Sequence, residues 1–171
     1  FAVSVAKTAL WIAEAQMWNE TKKIVSTTSN IGDFLPLETY DNIIEANALR
    51  IDWNDVIPNT KCNYIMGNPP FVGSKYSDKE QKSDMDYVFE NNSKIKYRTL
   101  DYVTCWFYLA SNYILGTEIK CAFVSTNSIT QGEQTEIIWE PIIEMGITIN
   151  FAYRTFRWDS EASLKAHVHC V

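Results

Sequence analysis

The stretch Tyr64-Ile65-Met66-Gly67-Asn68-Pro69-Pro70-Phe71 decides how the rest of this chain is read. It begins as a short apolar strand and stops on a glycine, an asparagine and two prolines. Each proline fixes φ at about −65° and lacks a backbone N–H. The residue before each proline is pushed toward extended geometry. The carbonyl of Pro69 is thereby aimed in a set direction with no neighbouring donor to occupy it. Beside it stands the side-chain oxygen of Asn68, a second acceptor. The flat ring of Phe71 closes the motif. Two acceptors and one stacking face at the carboxyl end of a strand make a binding corner, in the place where open α/β sheets take their ligands.

The flanking segments predict the surrounding fold. Upstream, Val3, Ala6, Leu10, Ala13 and Met17 recur at three- and four-residue spacing and predict an amphipathic helix over 2–18. Ser26 to Asn30, then Gly32 and Pro36, predict a loop, and Ile43 to Leu49 a short strand. The strand that carries the corner spans Cys62 to Met66. Downstream, Ser77 to Asn92 is charged, with helix-forming residues but little apolar stripe, and reads as a solvated excursion. Residues 72–100 as a whole are expected to be an insertion or loop near the corner. Asp101 to Leu115 is an apolar, aromatic-rich helix closed by Gly116, and Lys120 to Ser125 is a buried strand. Glu133 to Met145 is a further helix, followed by strands at Ile147 to Phe156 and Ala166 to Val171. Strands alternating with helices predict an α/β layered domain, ending in an antiparallel strand pair because no helix separates the last two strands.

Composition bounds the function. The 171 residues suit one domain and carry 46% hydrophobic and 21% charged residues, a globular profile. No apolar run reaches the ~18 residues a bilayer requires, so no membrane association is expected. The opening Phe1-Ala2-Val3-Ser4 has no basic leader or cleavage site and reads as the start of an excised piece. Four scattered cysteines (Cys62, Cys105, Cys121, Cys170) form no close pair and read as reduced, buried thiols of a cytoplasmic protein. The net charge of −6 argues mildly against nucleic-acid binding. The acids, however, concentrate at the front: residues 1–60 hold eight acids and four bases, whereas 71–100 hold six bases and five acids. A DNA-facing surface is therefore expected later in the chain.

The corner suits a planar base with an exocyclic amino group. In adenine the amino lone pair is delocalised into the ring, and the nitrogen is a poor nucleophile. Donation of one N–H to Asn68 Oδ1 and the other to the Pro69 carbonyl draws the nitrogen toward tetrahedral geometry. Its lone pair then faces an electrophilic methyl on a sulfonium. No general base is needed before attack, because the proton leaves after the nitrogen becomes cationic. A paired base cannot reach such a site and must flip out, at a cost of roughly a few kcal/mol. Stacking on Phe71 returns about 1–3 kcal/mol. The plainer reading of Gly67-Asn68-Pro69-Pro70 is a rigid strand-to-loop turn.

Longer strings point to a family. Asn68-Pro69-Pro70-Phe71 resembles the signature of amino-methyltransferases that modify adenine at N6. Together with Leu100-Asp101-Tyr102-Val103, Val124 to Gln134 and Ala152 to Trp158, the chain resembles the large single-chain type II restriction–modification enzymes, class I S-adenosylmethionine-dependent DNA methyltransferases. The resemblance covers almost the whole chain. It implies a partial Rossmann-like class I methyltransferase sheet with helices on both faces, and it makes the chain the C-terminal part of a catalytic domain. It implies Asn68, Pro69, Pro70 and Phe71 as the catalytic corner, S-adenosylmethionine as cofactor, and double-stranded DNA with a flipped adenine as partner. It places Asn47-Ala48 where the family usually has an acidic residue touching the cofactor's adenine, here replaced by Asn. It implies Asp101 as a cofactor-binding residue and places Trp106, on the helix that Asp101 opens, near the same ring, with Ser125, Thr126 and Asn127 along the rim. The family's glycine-rich donor loop is missing, since none of the six glycines forms Gly-x-Gly. The isolated 171 residues are thus expected neither to bind the donor tightly nor to methylate, and the remainder of the parent chain is expected as a partner. The same corner would also serve a protein glutamine methyltransferase, and a non-catalytic DNA- or partner-binding module is the third reading.

Other groups carry weaker signals. His167 and His169 alternate along a strand without carboxylate or Cys at ligand spacing, so no metal site is expected. Arg154, Arg157 and Lys165 are placed to contact phosphates or simply to be solvated. Lys75, Lys79 and Lys82 follow the corner and read the same two ways.

Overall fold

The computed structural model describes residues 1–25, 43–90, 95–157 and 169–171. The chain divides into two units, Phe1–Ala46 and Asn47–Val171. The first contains helix α1 (Ala2–Val25), seven residues longer than its apolar spacing predicts. Lys22 and Lys23 lie in its last turn, where positive charge offsets the negative end of the helix dipole. No described helix is long and apolar enough to cross a membrane.

The second unit is built around the corner. A short helix α2 (Trp53–Val56) begins at Asp52, whose carboxylate accepts from the Asn54 N–H. Strand β1 (Tyr64–Gly67) follows, then helix α3 (Lys79–Phe89), helix α4 (Thr104–Ile114), strand β2 (Lys120–Phe123) and helix α5 (Gly132–Glu144). The last strands, β3 (Phe156–Arg157) and β4 (His169–Cys170), are two residues each. β1 and β2 pair in parallel, with Gly67 opposite Phe123, so both strands deliver their carboxyl ends to one edge. β3 and β4 pair antiparallel. A bridge between Thr126 and Cys170, with reciprocal Ser125–Val171 backbone bonds of 3.1 and 2.9 Å, ties the exit of β2 to β4.

Three expectations change. No strand forms over the described part of 43–49, because Asn47 competes for the backbone: its Oδ1 accepts from the Leu49 N–H at 3.0 Å, and its carbonyl accepts from the Arg50 N–H at 2.9 Å. The segment turns instead. The charged stretch after the corner is helical but not merely solvated. Asp78 and Gln81 form a reciprocal capping box at the start of α3, which then buries Asp84, Met85, Val88 and Phe89. Phe89 lies against Tyr97 and Tyr108, with ring centroids 5.1 and 5.0 Å apart. The third change concerns residues 147–155, which carry no regular structure although their apolar residues alternate. Ile149, Phe151 and Tyr153 are exposed there, and no described strand pairs with them.

The core lies where α3, α4 and α5 meet. Leu49, Phe89, Leu100, Cys105, Ile138 and Ile142 are almost fully buried. Phe107 of α4 meets Phe123 of β2 and Trp139 of α5 edge-to-face, at 5.3 and 5.4 Å. That ring contact seats the helix layer on the sheet.

Candidate active site

The proline pair leaves β1 at the edge where β2 also ends. Asn68 is exposed, Pro69 is buried, Pro70 is exposed and Phe71 is half-buried. Neither the Asn68 side-chain oxygen nor the Pro69 carbonyl accepts a hydrogen bond from any described residue. Among the described residues, then, both acceptors of the corner are open. Its neighbours are bonded on both sides: Val124 N–H donates to the Gly67 carbonyl at 3.1 Å, and Tyr102 N–H to the Val72 carbonyl at 2.9 Å.

A cavity of about 480 Å³ opens beside the corner and is lined by Asn68, Pro69 and Pro70 together with Trp53, Trp106 and Phe123. Trp106 thus shares one space with the corner; Phe71 is not part of that lining. Trp53, Tyr113 and Phe123 also line this cavity, and no sequence motif singled them out. Tyr113 donates to the Ile57 carbonyl at 2.6 Å, which holds the turn after α2 against α4.

The other candidate residues do not line this cavity. Asn47 lines a separate cavity, and its Nδ2 donates to Asp84 at 2.9 Å. The Ala48 carbonyl accepts from Trp53 Nε1 at 2.8 Å. Asp101 is buried and is not in the cavity lining. One of its carboxylate oxygens accepts from the Ser74 N–H at 3.0 Å and the other from the Ser128 hydroxyl. Its own N–H donates to Gln134 Oε1 at 2.9 Å. Asp101 therefore clamps the segment after the corner to the loop after β2 and to α5. In that loop Thr126 and Ser128 bond each other at 2.7 Å, and the fully buried Ser125 hydroxyl has no partner among the described residues.

Charge near the site centres on Asp84. Burial pushes its carboxyl up, but hydrogen bonds from Tyr102, Arg50 and Asn47 outweigh that and hold it below the ordinary value. Burial, and then the bond to Asp84, push the Tyr102 hydroxyl well up. Burial raises the Cys105 thiol strongly, and burial followed by the neighbouring Cys62 raises Cys121 to about 11. All four cysteines are free thiols. Lys75, Lys79, Lys82 and Arg154 are exposed, Arg157 is described only as backbone in β3, and Lys165 and His167 lie outside the described residues. Among the described residues no group of three His, Cys, Asp or Glu side chains is placed to hold a metal ion.

A family model described as the DNA-methyltransferase domain of MmeI matches residues 1–171. The chain belongs to that family. It is 46% identical over 171 residues to DNA methyltransferase A of Bacillus subtilis (strain 168), covering 98% of this chain and 19% of that protein. It also matches the solved structure of the type IIL restriction–modification enzyme MmeI in complex with DNA, with a TM-score of 0.82 and 46% identity. That match covers 95% of this chain and 21% of MmeI, so the chain spans about a fifth of the length of these relatives.

Proposed function

We propose that residues 1–171 form the C-terminal part of a methyltransferase catalytic domain that methylates adenine at N6 in DNA, using S-adenosylmethionine. The observation that carries this reading is the corner itself, with two acceptor oxygens that no described donor occupies, at the mouth of an aromatic-lined cavity.

The residues fit the roles. A flipped adenine would donate one amino N–H to Asn68 Oδ1 and the other to the Pro69 carbonyl, with Phe71 as its stacking ring. The diproline geometry fixes the Pro69 carbonyl and restricts the Asn68 backbone from which the second acceptor springs, so the peptide oxygen needs no reorganisation as the nitrogen becomes cationic. The acquired proton leaves afterwards, so no general base has to touch the ground-state amine. Phe71 lies outside the cavity lining, so the stacked base would bridge from the cavity mouth onto that ring. The rings of Trp106 and Trp53 form an apolar wall suited to the donor's adenine, with Asn47 and Ala48 supporting that wall. When bound, S-adenosylmethionine supplies the electrophilic methyl group. The sequence holds no Gly-x-Gly to cradle the rest of the donor, and we propose that the 171 residues by themselves are inactive.

The test is labelled-methyl incorporation into DNA by the complete protein, with the product nucleoside identified by mass. N6-methyladenine is expected, and Asn68→Ala should lower turnover by about 100-fold, as loss of one oriented transition-state contact does. Methyl transfer to cytosine or to protein, or full turnover in the Asn68→Ala variant, would overturn the reading.

A further inference from the structure

We propose that Asp84, on α3 and outside the corner, is the positioning residue that holds both cavity tryptophans, Trp53 and Trp106, in place. This inference rests on the reading of the cavity as the donor site. Two routes lead from one carboxylate to the two indoles. On the first, Asn47 Nδ2 and Arg50 Nε donate to Asp84 at 2.9 and 2.6 Å, which fixes the turn over residues 47–50. The Ala48 carbonyl within that turn accepts from Trp53 Nε1 at 2.8 Å. On the second, the Tyr102 hydroxyl donates to Asp84 at 2.7 Å, and the Tyr102 ring meets Trp106 edge-to-face with centroids 5.2 Å apart and planes at 84°.

The chemistry requires a carboxylate. Three donors from two separate segments converge on one side chain that is 9% exposed, and only an acceptor with two free oxygens can answer them all. An amide at this position would turn an N–H toward at least one of the donors and leave it unsatisfied. Arg50 is further fixed by Ser83 at 2.8 Å and by the Tyr87 ring at 4.8 Å. The turn is therefore anchored to α3 from several sides, and the Tyr102 branch depends on Asp84 alone for its hydroxyl.

The test measures S-adenosylmethionine affinity by calorimetry and DNA affinity by anisotropy in the complete protein. The variants are Asp84→Asn, Tyr102→Phe, Trp106→Ala and the double variant Asp84→Asn/Trp106→Ala. Asp84→Asn should weaken donor binding about tenfold, the size expected for a broken charge-assisted hydrogen bond, and leave DNA affinity unchanged. Tyr102→Phe loses one hydroxyl and keeps its ring, so it carries the test if Asp84→Asn does not fold; it too should weaken the donor and spare DNA. The double variant should lose less than the product of the single losses, because Asp84 acts partly through Trp106. Wild-type donor affinity in Trp106→Ala would overturn the cavity reading and this inference with it. Weak binding in Trp106→Ala beside wild-type affinity in Asp84→Asn and Tyr102→Phe, or losses that simply multiply, would overturn the role of Asp84 alone.

Discussion

Replacing Gly67 with alanine tests whether the corner is held by close packing of β1 on the ring of Phe123. Gly67 sits in register with Phe123, and a Cβ added there lies 3.0 Å from its Cε1 and 3.1 Å from its Cδ1. Comfortable carbon contacts start at about 3.5 Å, so the ring has to retreat by roughly half an ångström. Phe107 holds that ring edge-to-face at 5.3 Å, and Trp139 holds Phe107 in turn at 5.4 Å. Overpacking of this kind costs about 1–3 kcal/mol, and the lower unfolded-state entropy of alanine returns about 0.4–1 kcal/mol. The net loss is about 1–2 kcal/mol, which lowers the melting temperature by about 2–8 °C for a domain of this size. Asn68 follows directly, so the displacement reaches the acceptor pair and should lower methyl transfer about tenfold. Calorimetric melting and methyl incorporation, run on the same preparations, check both numbers. In a Phe123→Leu background the clashing ring carbons are gone, and Gly67→Ala should cost nothing further. A variant that melts at or above wild type, or an equal cost in the Phe123→Leu background, would show that the Phe123 ring does not hold β1 at this point.

What the sequence made legible follows from the range of the forces involved. The corner was readable because glycine and proline act on their own backbone and immediate neighbours, so the local turn of Gly67 to Pro70 shows in the sequence even though the packing that holds it does not. Helix α4 was readable because Tyr102 to Tyr113 is apolar enough to demand burial on any packing. The strand expected near Asn47 failed for a local reason as well, since an asparagine side chain that bonds the N–H two residues on bends the chain out of the ladder. Distance defeated the rest. Asp84 reads as one more charge on a solvated helix until Asn47, 37 positions before it, and Tyr102, 18 positions after it, arrive as donors. Trp53, Tyr113 and Phe123 carry no motif, and only the fold brings them round the corner. The alternation through Ile147, Ile149, Phe151 and Tyr153 satisfies a strand pattern, but a ladder also needs a neighbour, which residue spacing cannot supply.

Further outcomes follow from the buried groups. The Asp84 carboxyl is held below its ordinary value of 3.8, so its contribution to stability is present above that pH and is lost as pH falls through the folded value. Denaturant midpoints measured from pH 6 to pH 2 should therefore fall more steeply below about pH 4 in wild type than in Asp84→Asn. The Cys121 thiol, raised to about 11, should be alkylated by iodoacetamide at pH 8 far more slowly than free glutathione; equal rates would contradict its burial. Asp101 gives the sharpest test, because its place in the sequence suggested a contact with the methyl donor and its geometry assigns it to the clamp behind the corner. Asp101→Ala strips the acceptor from the Ser74 N–H and from the Ser128 hydroxyl, a loss of about 2–3 kcal/mol for a buried, charge-assisted pair. Turnover should fall while the Kd for S-adenosylmethionine stays put. Asp101→Asn should restore most of that turnover, since its amide oxygen still accepts from Ser74 and its amide nitrogen can donate to the Ser128 oxygen. A donor Kd that rises in Asp101→Ala, with turnover unchanged at saturation, would return Asp101 to the donor's contact shell and remove the clamp from the account of how the corner is held.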